Sequence, residues 1–168
     1  MQNVKPALAF LLVVAGALAF VWLTSLGLPP LVASHFGASG LANGFMPRSV
    51  YVPFMLGFVI GLPALLVVVT SLSMGHAKAR INLPNRDYWL APERRAQTIA
   101  VLRTGVMGFG VLLVVFLCYA HWLVVRANQS APARLAESWF IGGLVVFVVA
   151  TLAGVWLLIG RFRRRACA

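Results

Sequence analysis

Four side chains of this chain could bind a transition metal if the fold brought them together. Cys118 and His121 are three positions apart, so a helix would place them on one face, and His35 and Glu137 lie in segments between apolar runs. Thiolate, imidazole and carboxylate groups are ligands for zinc or copper. The competing interpretation makes Cys118 a small core residue, His121 an interfacial polar group and Glu137 a helix-start charge. That interpretation is the stronger one, and we expect no metal and no cofactor.

A second concentration of polar groups lies in segment 81–95. It holds two of the 3 acidic residues of the chain among several arginines, together with aromatic side chains of the kind that lie at membrane interfaces. We predict that this segment contacts a partner through Asn85, Asp87, Tyr88, Trp89, Glu93 and Arg94.

The composition argues against an enzyme. Hydrophobic residues make up 61% of the 168 residues and charged residues only 10%, whereas about a quarter of a soluble domain is charged. The apolar runs contain no paired carboxylates, and no Ser or Cys nucleophile stands at a recognised spacing from a His and an acid. These features predict a non-catalytic integral membrane protein. In that setting the net charge of +11 indicates orientation and not a nucleic-acid partner.

Four apolar runs free of Lys, Arg, Asp and Glu predict an all-α, four-helix transmembrane bundle that forms one domain over residues 1–168. The predicted helices span about 7–28, 50–73, 92–125 and 139–160. The first run is longer than a signal-peptide core and lacks a cleavage site, so we expect it to be retained. The predicted connections are two outer loops, 29–49 and 126–138, and a cytoplasmic loop, 74–91.

The distribution of basic residues predicts that both termini are cytoplasmic. Eleven of the 14 lysines and arginines fall at the N-terminus, in the middle connection and its adjoining helix, or in the tail, and positive charge is retained on the cytoplasmic side. These residues are Lys5, Lys78, Arg80, Arg86, Arg94, Arg95, Arg103, Arg161, Arg163, Arg164 and Arg165. Arg48, Arg126 and Arg134 remain for the other side.

Three details of the helices carry their own predictions. Pro63 cannot donate a hydrogen bond to the Val59 carbonyl and should distort the second span. The pair Gly57 and Gly61 favours close helix packing, either within the bundle or between copies of the chain. Arg103 should either extend to the cytoplasmic interface or pair with Asp87.

The first outer loop is expected to be ordered. Prolines end the preceding helix, glycines allow turns, and large apolar side chains anchor the loop to the membrane interface or to a partner. The residues that we predict to contact a partner here are Pro29, His35, Phe36, Gly40, Asn43, Gly44 and Phe45. The alternative is that this loop only covers the bundle, with His35 bonded to backbone.

The order of residues in this loop resembles a family signature. The loop is similar to a bacterial membrane domain of unknown function shared with SdpI-type toxin-immunity proteins. The matching residues, in order, are Leu28, Pro29, His35, Phe36, Gly40, Asn43, Gly44 and Phe45. Segment 81–95 is similar to a loop of short members of the same family. The resemblance implies a multi-pass, non-enzymatic protein of the bacterial inner membrane. SdpI-type immunity proteins are longer and have more spans, so immunity itself does not follow.

The leading hypothesis is that the chain is an interaction protein in the lipid bilayer and that its partner is a peptide or a membrane protein. Its role would be SdpI-like immunity or signalling, or that of an accessory subunit of a larger membrane complex. A homo-oligomeric carrier or channel joined through Gly57 and Gly61 is the second hypothesis. A metal-binding membrane enzyme at the outer face is the third.

Overall fold

The structure is a computed structural model that describes residues 4–76 and 81–163. Four residues used in the charge argument lie outside the described residues: Lys78, Arg80, Arg164 and Arg165. The described chain is mostly helical. Its elements are α1 (Val4–Ser25), β1 (Leu31–Phe36), β2 (Ala42–Pro47), α2 (Arg48–Leu56), a π-helical turn (Gly57–Gly61), α3 (Leu62–Gly75), α4 (Arg86–Trp89), α5 (Pro92–Ala127) and α6 (Glu137–Arg163).

Four helices are long and apolar enough to cross a membrane: α1, the continuous second helix Arg48–Gly75, α5 and α6. The prediction of a mostly helical chain with four such helices is therefore confirmed. Each helix begins or ends within three residues of its predicted bounds. The start of α5 at Pro92 agrees with the prediction, because proline fits the first helical turn and Glu93 favours the positive end of the helix dipole.

The distortion predicted at Pro63 takes the form of a π-helical turn. The turn covers Gly57–Gly61 and is followed directly by α3, with Pro63 in its first turn. A wider turn accommodates the missing N–H and the proline ring without ending the helix. The second span consequently runs without interruption from Arg48 to Gly75.

Helix α5 is the centre of the bundle and packs against α1, α3 and α6. The core between α1, the second span and α5 contains the buried side chains of Phe10, Val21, Tyr51, Val59, Val67, Val114 and Leu117. The closest approach is at Gly110, where a Cβ atom would lie 2.6 Å from Val67 Cγ2 and 2.9 Å from Phe10 Cε2. A glycine at this position therefore lets three helices meet.

Gly57 and Gly61 do not take part in this packing. Both are exposed, and a Cβ atom built on either one would meet nothing within 4 Å. The expectation that this pair packs the bundle within one chain is wrong. Among the glycines of the long helices that do approach neighbouring side chains, Gly110 of α5 meets α1 and α3, and Gly143 of α6 meets the Tyr119 ring.

Helix α6 lies at the edge of the bundle. It packs against α5, and no residue in its most apolar 18-residue window is buried inside the chain. Trp156, for example, is 70% exposed. The fourth span therefore offers most of its apolar surface to its surroundings.

One end of the bundle carries an antiparallel two-stranded sheet formed by β1 and β2, which we call the hairpin end. This sheet lies within the predicted loop 29–49, for which the sequence analysis predicted no strands, and the loop is ordered as expected. The other end carries α4 and the first turns of α5, and we call it the α4 end.

Candidate functional site: the hairpin platform and the buried histidine beside it

The hairpin turns at Gly40, whose φ of +73° lies in the left-handed region that glycine adopts without strain. Pairing runs from Leu31 opposite Pro47 to Phe36 opposite Ala42, with register irregularities around His35. The backbone N–H of Gly37 donates to the Leu41 carbonyl at 2.9 Å and closes the turn. The short loop thereby satisfies much of its own backbone hydrogen bonding.

The segment between α5 and α6 extends the hairpin on the β2 side. Ala42 N–H donates to the Ala133 carbonyl at 3.1 Å, and Leu135 N–H donates to the Gly40 carbonyl at 2.8 Å. A Cβ atom at Gly40 would lie 2.6 Å from the Leu135 carbonyl oxygen, so this approach also requires glycine. We call the unit formed by β1, β2 and residues 128–136 the hairpin platform.

Asn128 joins the hairpin platform to the end of α5. Its Oδ1 accepts a hydrogen bond from Ala33 N–H at 2.8 Å, and its Nδ2 donates to the Ala33 carbonyl at 2.9 Å and to the Val124 carbonyl at 2.9 Å. A primary amide can make these contacts at once because it carries both an acceptor and two donor hydrogens. The side chain therefore occupies the free edge of β1 in place of a further strand.

Replacing Asn128 with alanine is expected to loosen the hairpin. Three hydrogen bonds disappear, two of which serve the backbone of Ala33, and we expect the free energy of unfolding to fall by about 1–2 kcal/mol. Hydrogen–deuterium exchange of residues 31–47 should become faster while exchange in the middle of α5 is unchanged. Gln129→Ala, at the exposed neighbouring position, is the control. Equal exchange in both variants would contradict the role of Asn128.

Arg48 holds the other side of the hairpin to the end of α1. Its guanidinium donates to the carbonyls of Leu26 at 3.2 Å and Leu28 at 3.0 Å, and its backbone N–H donates to the Pro30 carbonyl at 2.9 Å. These carbonyls follow the last turn of α1 and need partners from outside the helix. The platform is thus fixed to α1, to α5 and to the start of α2.

The platform exposes apolar side chains although its backbone is well bonded. Leu31 is 58% exposed, Phe45 is 56% exposed and Leu41 is 40% exposed. His35 is exposed beside them, and its Nδ1 lies 2.6 Å from Asn43 Oδ1. A hydrogen bond from Nδ1–H to this oxygen fixes the imidazole and leaves Nε2 as the nitrogen that accepts a bond from a ligand.

The predicted residues of the first loop have different positions in the platform. His35, Asn43 and Phe45 share the hairpin, while Gly40 is buried at the turn and Gly44 lies against His35, where a Cβ atom would be 2.8 Å from that of the histidine. Pro29 and Phe36 are half-buried. Leu31 and Leu41 belong to the large apolar side chains that the sequence assigned as anchors for the membrane interface or a partner, and both are exposed.

His121 lies in α5 near the hairpin end and is completely buried, with 0% of its surface exposed. Its Nδ1 is 2.9 Å from the Tyr51 hydroxyl oxygen, and its Nε2 is 2.9 Å from Thr24 Oγ1. The Tyr51 ring stacks on the imidazole at 5.8 Å between centroids, and the Phe20 ring meets it edge-on at 6.2 Å. The histidine therefore joins α1, α2 and α5.

These hydrogen bonds assign one tautomer to His121. The Thr24 hydroxyl donates its proton to the Phe20 carbonyl at 2.7 Å, so its oxygen accepts from His121 Nε2–H. Nδ1 then accepts the hydroxyl proton of Tyr51. The neutral imidazole has both nitrogens engaged within the chain. The sequence pattern indicated His121 but not Thr24 and Tyr51, which no spacing rule connects to it.

The structure does not gather the four candidate metal ligands into one described cluster. The described residues contain no group of three or more His, Cys, Asp or Glu side chains that could hold a metal ion. Both nitrogens of His121 are used, and Cys118 packs against the hydrophobic core. Glu137 begins α6, which agrees with its interpretation as a helix-start charge.

At the α4 end, segment 81–95 binds the last described turn of α6. Trp89 Nε1–H donates to the Phe162 carbonyl at 2.8 Å, and Asn85 Nδ2 donates to the same carbonyl at 3.2 Å. The Trp89 ring also meets the buried Phe162 ring edge-on at 5.4 Å. Helix C-termini leave carbonyls without partners, so these side chains complete the end of α6.

The other predicted residues of this segment lie differently. Asp87, Glu93 and Arg94 are exposed, and the Arg94 guanidinium lies 4.1 Å from the centre of the Tyr88 ring. Among the residues predicted to contact a partner in segment 81–95, the exposed charged residues are available to one. Asn85 and Trp89 instead form hydrogen bonds to the end of α6.

Replacing Trp89 with phenylalanine isolates the indole hydrogen bond. The ring contact with Phe162 is retained while the donor to its carbonyl is lost, and we expect a destabilisation of about 0.5–1.5 kcal/mol. Trp156→Phe is the control because that indole is 70% exposed on the outside of α6. Thermal unfolding in detergent should separate the two variants. Equal midpoints would show that the Trp89 bond contributes nothing.

Arg103 of α5 forms hydrogen bonds across the bundle to α3. Its Nε and Nη2 atoms donate to the Ser71 carbonyl at 3.2 and 3.0 Å. The guanidinium therefore satisfies a carbonyl in the last turns of α3 and ties α3 to α5, and the hydrogen bonds described for it do not involve Asp87.

Comparisons with protein-family models, with characterised proteins and with solved structures found no match to this chain.

Proposed function

We propose that this chain is a multi-pass protein of the bacterial inner membrane that works as a non-catalytic interaction module, with the hairpin platform as its partner-binding surface. The observation that carries the proposal is the platform itself, which exposes Leu31, Leu41 and Phe45 on a backbone fixed by Asn128 and Arg48. Exposed apolar side chains on a rigid surface are typical of protein interaction sites.

In this proposal all four spans cross the bilayer and both termini are cytoplasmic. The charge distribution supports that orientation, since Arg48, Arg126 and Arg134 are the basic residues at the hairpin end. The hairpin platform then faces the outside of the membrane and the α4 end faces the cytoplasm. Tyr88 and Trp89 would lie at the depth of the lipid headgroups.

The partner of the platform is an apolar or amphipathic peptide, or an outward-facing segment of another membrane protein. Phe45 and Leu31 supply apolar contacts, and His35 supplies a nitrogen that can accept a hydrogen bond from a backbone N–H. The resemblance of the loop to SdpI-type immunity proteins supports a peptide toxin as one such partner. If the chain is an accessory subunit of a larger membrane complex, the hairpin platform is also the surface that contacts the other subunits.

Site-specific photocrosslinking in the native membrane tests this proposal. With benzoylphenylalanine at position 45, we expect one discrete adduct with another polypeptide, identified by mass spectrometry. The same group at Trp156, which is 70% exposed on α6, is the control for random collision. Asn128→Ala should reduce the adduct at position 45. Adducts of equal yield at both positions, or no protein adduct at position 45, would overturn the proposal.

A second candidate function is a homo-oligomeric carrier or channel. The exposed faces of Gly57 and Gly61 favour it, because this small-residue pair packs against nothing in its own chain. In that case a photocrosslinker at position 58 should give a crosslinked dimer of two copies of this chain in the native membrane. Gly57→Leu should prevent that crosslink. Phe58 is exposed on this same helix and stacks on Phe54.

A further inference from the structure

An apolar cleft lies between α3, α5 and α6 in the half of the bundle that leads to the α4 end. Its volume is about 730 Å³, and its walls are formed mainly by positions 101–112 of α5 and 150–161 of α6, with Leu66, Val67 and Thr70 contributed by α3. The cleft exists because the main helix contact of α6 is with α5, which leaves its face toward α3 uncovered.

The lining is apolar with one cation at its edge. Thr151 lines the cleft, but its hydroxyl donates to the Phe147 carbonyl of the same helix at 2.8 Å. Among the described residues that line the cleft, Arg161 is the charged one and none is acidic. Arg161 is exposed in the last described turn of α6. The cleft therefore combines an apolar interior with a positive entrance.

The dimensions of the cleft fit a lipid chain. Positions 150 to 161 of α6 cover about 16 Å along the helix axis, and one leaflet of the hydrocarbon core is about 15 Å thick. Spread over that length, the volume of about 730 Å³ leaves a cross-section of roughly 46 Å². A helix about 10 Å wide occupies roughly 80 Å². Over this length the cleft volume is smaller than the volume that an enclosed helix would occupy, so a lipid chain fits the cleft better than a helix of a second copy does.

We propose that the cleft binds an acyl chain of an anionic phospholipid from the cytoplasmic leaflet, with Arg161 bound to the phosphate. Arginine binds phosphate oxygens through paired N–H donors. The inference rests on the proposed membrane insertion and orientation, and it does not depend on a partner at the hairpin platform.

Competition between two lipids tests the selectivity. The full chain is reconstituted into nanodiscs that contain equal amounts of phosphatidylglycerol and phosphatidylethanolamine with identical acyl chains, and the retained lipid is measured by native mass spectrometry after release. We expect phosphatidylglycerol to be retained about fivefold more than phosphatidylethanolamine, the ratio that corresponds to about 1 kcal/mol for one basic residue near the lipid surface.

Two arginines in the same turn provide a matched pair of charge variants. Arg161→Gln should remove the preference for phosphatidylglycerol, while Arg163→Gln, which removes the same charge from an exposed position outside the cleft lining, should leave most of it. If both variants lower the preference equally, general surface charge explains the binding and the proposal is overturned.

Two glycines provide a matched pair for the cleft interior. Gly154 lines the cleft and Gly16 is exposed on α1, and a Cβ atom on either one would meet nothing within 4 Å. Gly154→Leu should expel the retained lipid at unchanged helix content, whereas Gly16→Leu should retain it. Lipid retention that is unaffected by Gly154→Leu overturns the proposal. The proposal is also overturned if Gly154→Leu changes the oligomeric state and Gly16→Leu does not. That result would show that a second copy of the chain occupies the cleft.

The test is separate from that of the platform. Arg161→Gln should leave the photocrosslink from position 45 unchanged, so loss of lipid selectivity with a retained adduct supports both proposals. Loss of the adduct in this variant contradicts the claim that the two surfaces act independently.

Discussion

Replacing His121 with alanine is expected to lower the free energy of unfolding by about 2–4 kcal/mol, the largest effect that we predict for a polar residue of this chain. The substitution creates a cavity at a fully buried position and leaves the Tyr51 hydroxyl without its partner. It also separates α5 from Thr24 of α1. Reversible unfolding with SDS in mixed micelles measures the change.

Two further variants divide this effect into its parts. Tyr51→Phe keeps the stacked ring and removes one interhelical hydrogen bond, so its cost should be about 0.5–1.5 kcal/mol, in the range measured for such bonds in membranes. Thr151→Val removes a hydroxyl that donates to a carbonyl of its own helix. It should lower the free energy of unfolding by less than Tyr51→Phe does. A His121→Ala protein as stable as Thr151→Val would contradict the role of His121 as the joint between three helices.

Replacing Gly110 with valine is expected to cost about 1–3 kcal/mol or more, because the new side chain overlaps two neighbouring helices. A Cβ atom alone would lie 2.6 Å from Val67 Cγ2 and 2.9 Å from the Phe10 ring. Valine adds two more methyl groups in the same space, so α1 or α3 must move outward. Lower thermal stability in detergent, with faster hydrogen exchange in α1, is the expected result.

Gly108 is the matched control for Gly110. It lies two residues earlier in α5 and is exposed, and a Cβ atom built on it would meet nothing within 4 Å. Gly108→Val gives the same gain in side-chain volume and the same change in helix propensity. We expect it to leave the unfolding free energy within about 0.5 kcal/mol of that of the unchanged protein. Equal destabilisation by the two variants would show that helix propensity, and not packing, sets the cost.

The sequence was sufficient to predict the four long helices, because an apolar run of this length leaves few other structures. It also predicted the start of α5, where Pro92 and Glu93 give a local signal, and the distortion near Pro63, where the missing N–H has a direct local effect. Each of these features depends on residues that are close together in the chain.

The features that the sequence did not predict depend on how the helices rotate about their axes. A lipid-facing helix is apolar on every side, so the hydrophobic pattern does not indicate which face is buried. For this reason the sequence left open whether Gly57 and Gly61 pack within the bundle or between copies of the chain, and it did not connect Tyr51 and Thr24 to His121. The hairpin was missed because its alternating pattern is short and interrupted around His35.

The resemblance to SdpI-type proteins stays a proposal. Several of the residues that carry it lie in the hairpin platform, where they have different structural roles. Gly40 and Gly44 permit close approach, while His35 and Asn43 form a hydrogen-bonded pair on the exposed surface. These residues can therefore contribute both to the shape of the hairpin and to contact with a partner. Separate substitution of His35 and Gly40 distinguishes the two, since only the glycine change should disturb the hairpin.

The central claim is that the hairpin platform faces the outside of a membrane that the chain crosses four times. Cysteine labelling with a membrane-impermeant maleimide in intact cells tests it most directly. In a background without Cys118 and Cys167, a cysteine is introduced at Ser39 in the hairpin turn or at Gln97 in the first turns of α5, both of which are exposed. We predict that Ser39→Cys is labelled in intact cells and that Gln97→Cys is labelled only after the membrane is permeabilised. Labelling of Gln97→Cys in intact cells, or protection of Ser39→Cys until permeabilisation, would contradict the claim.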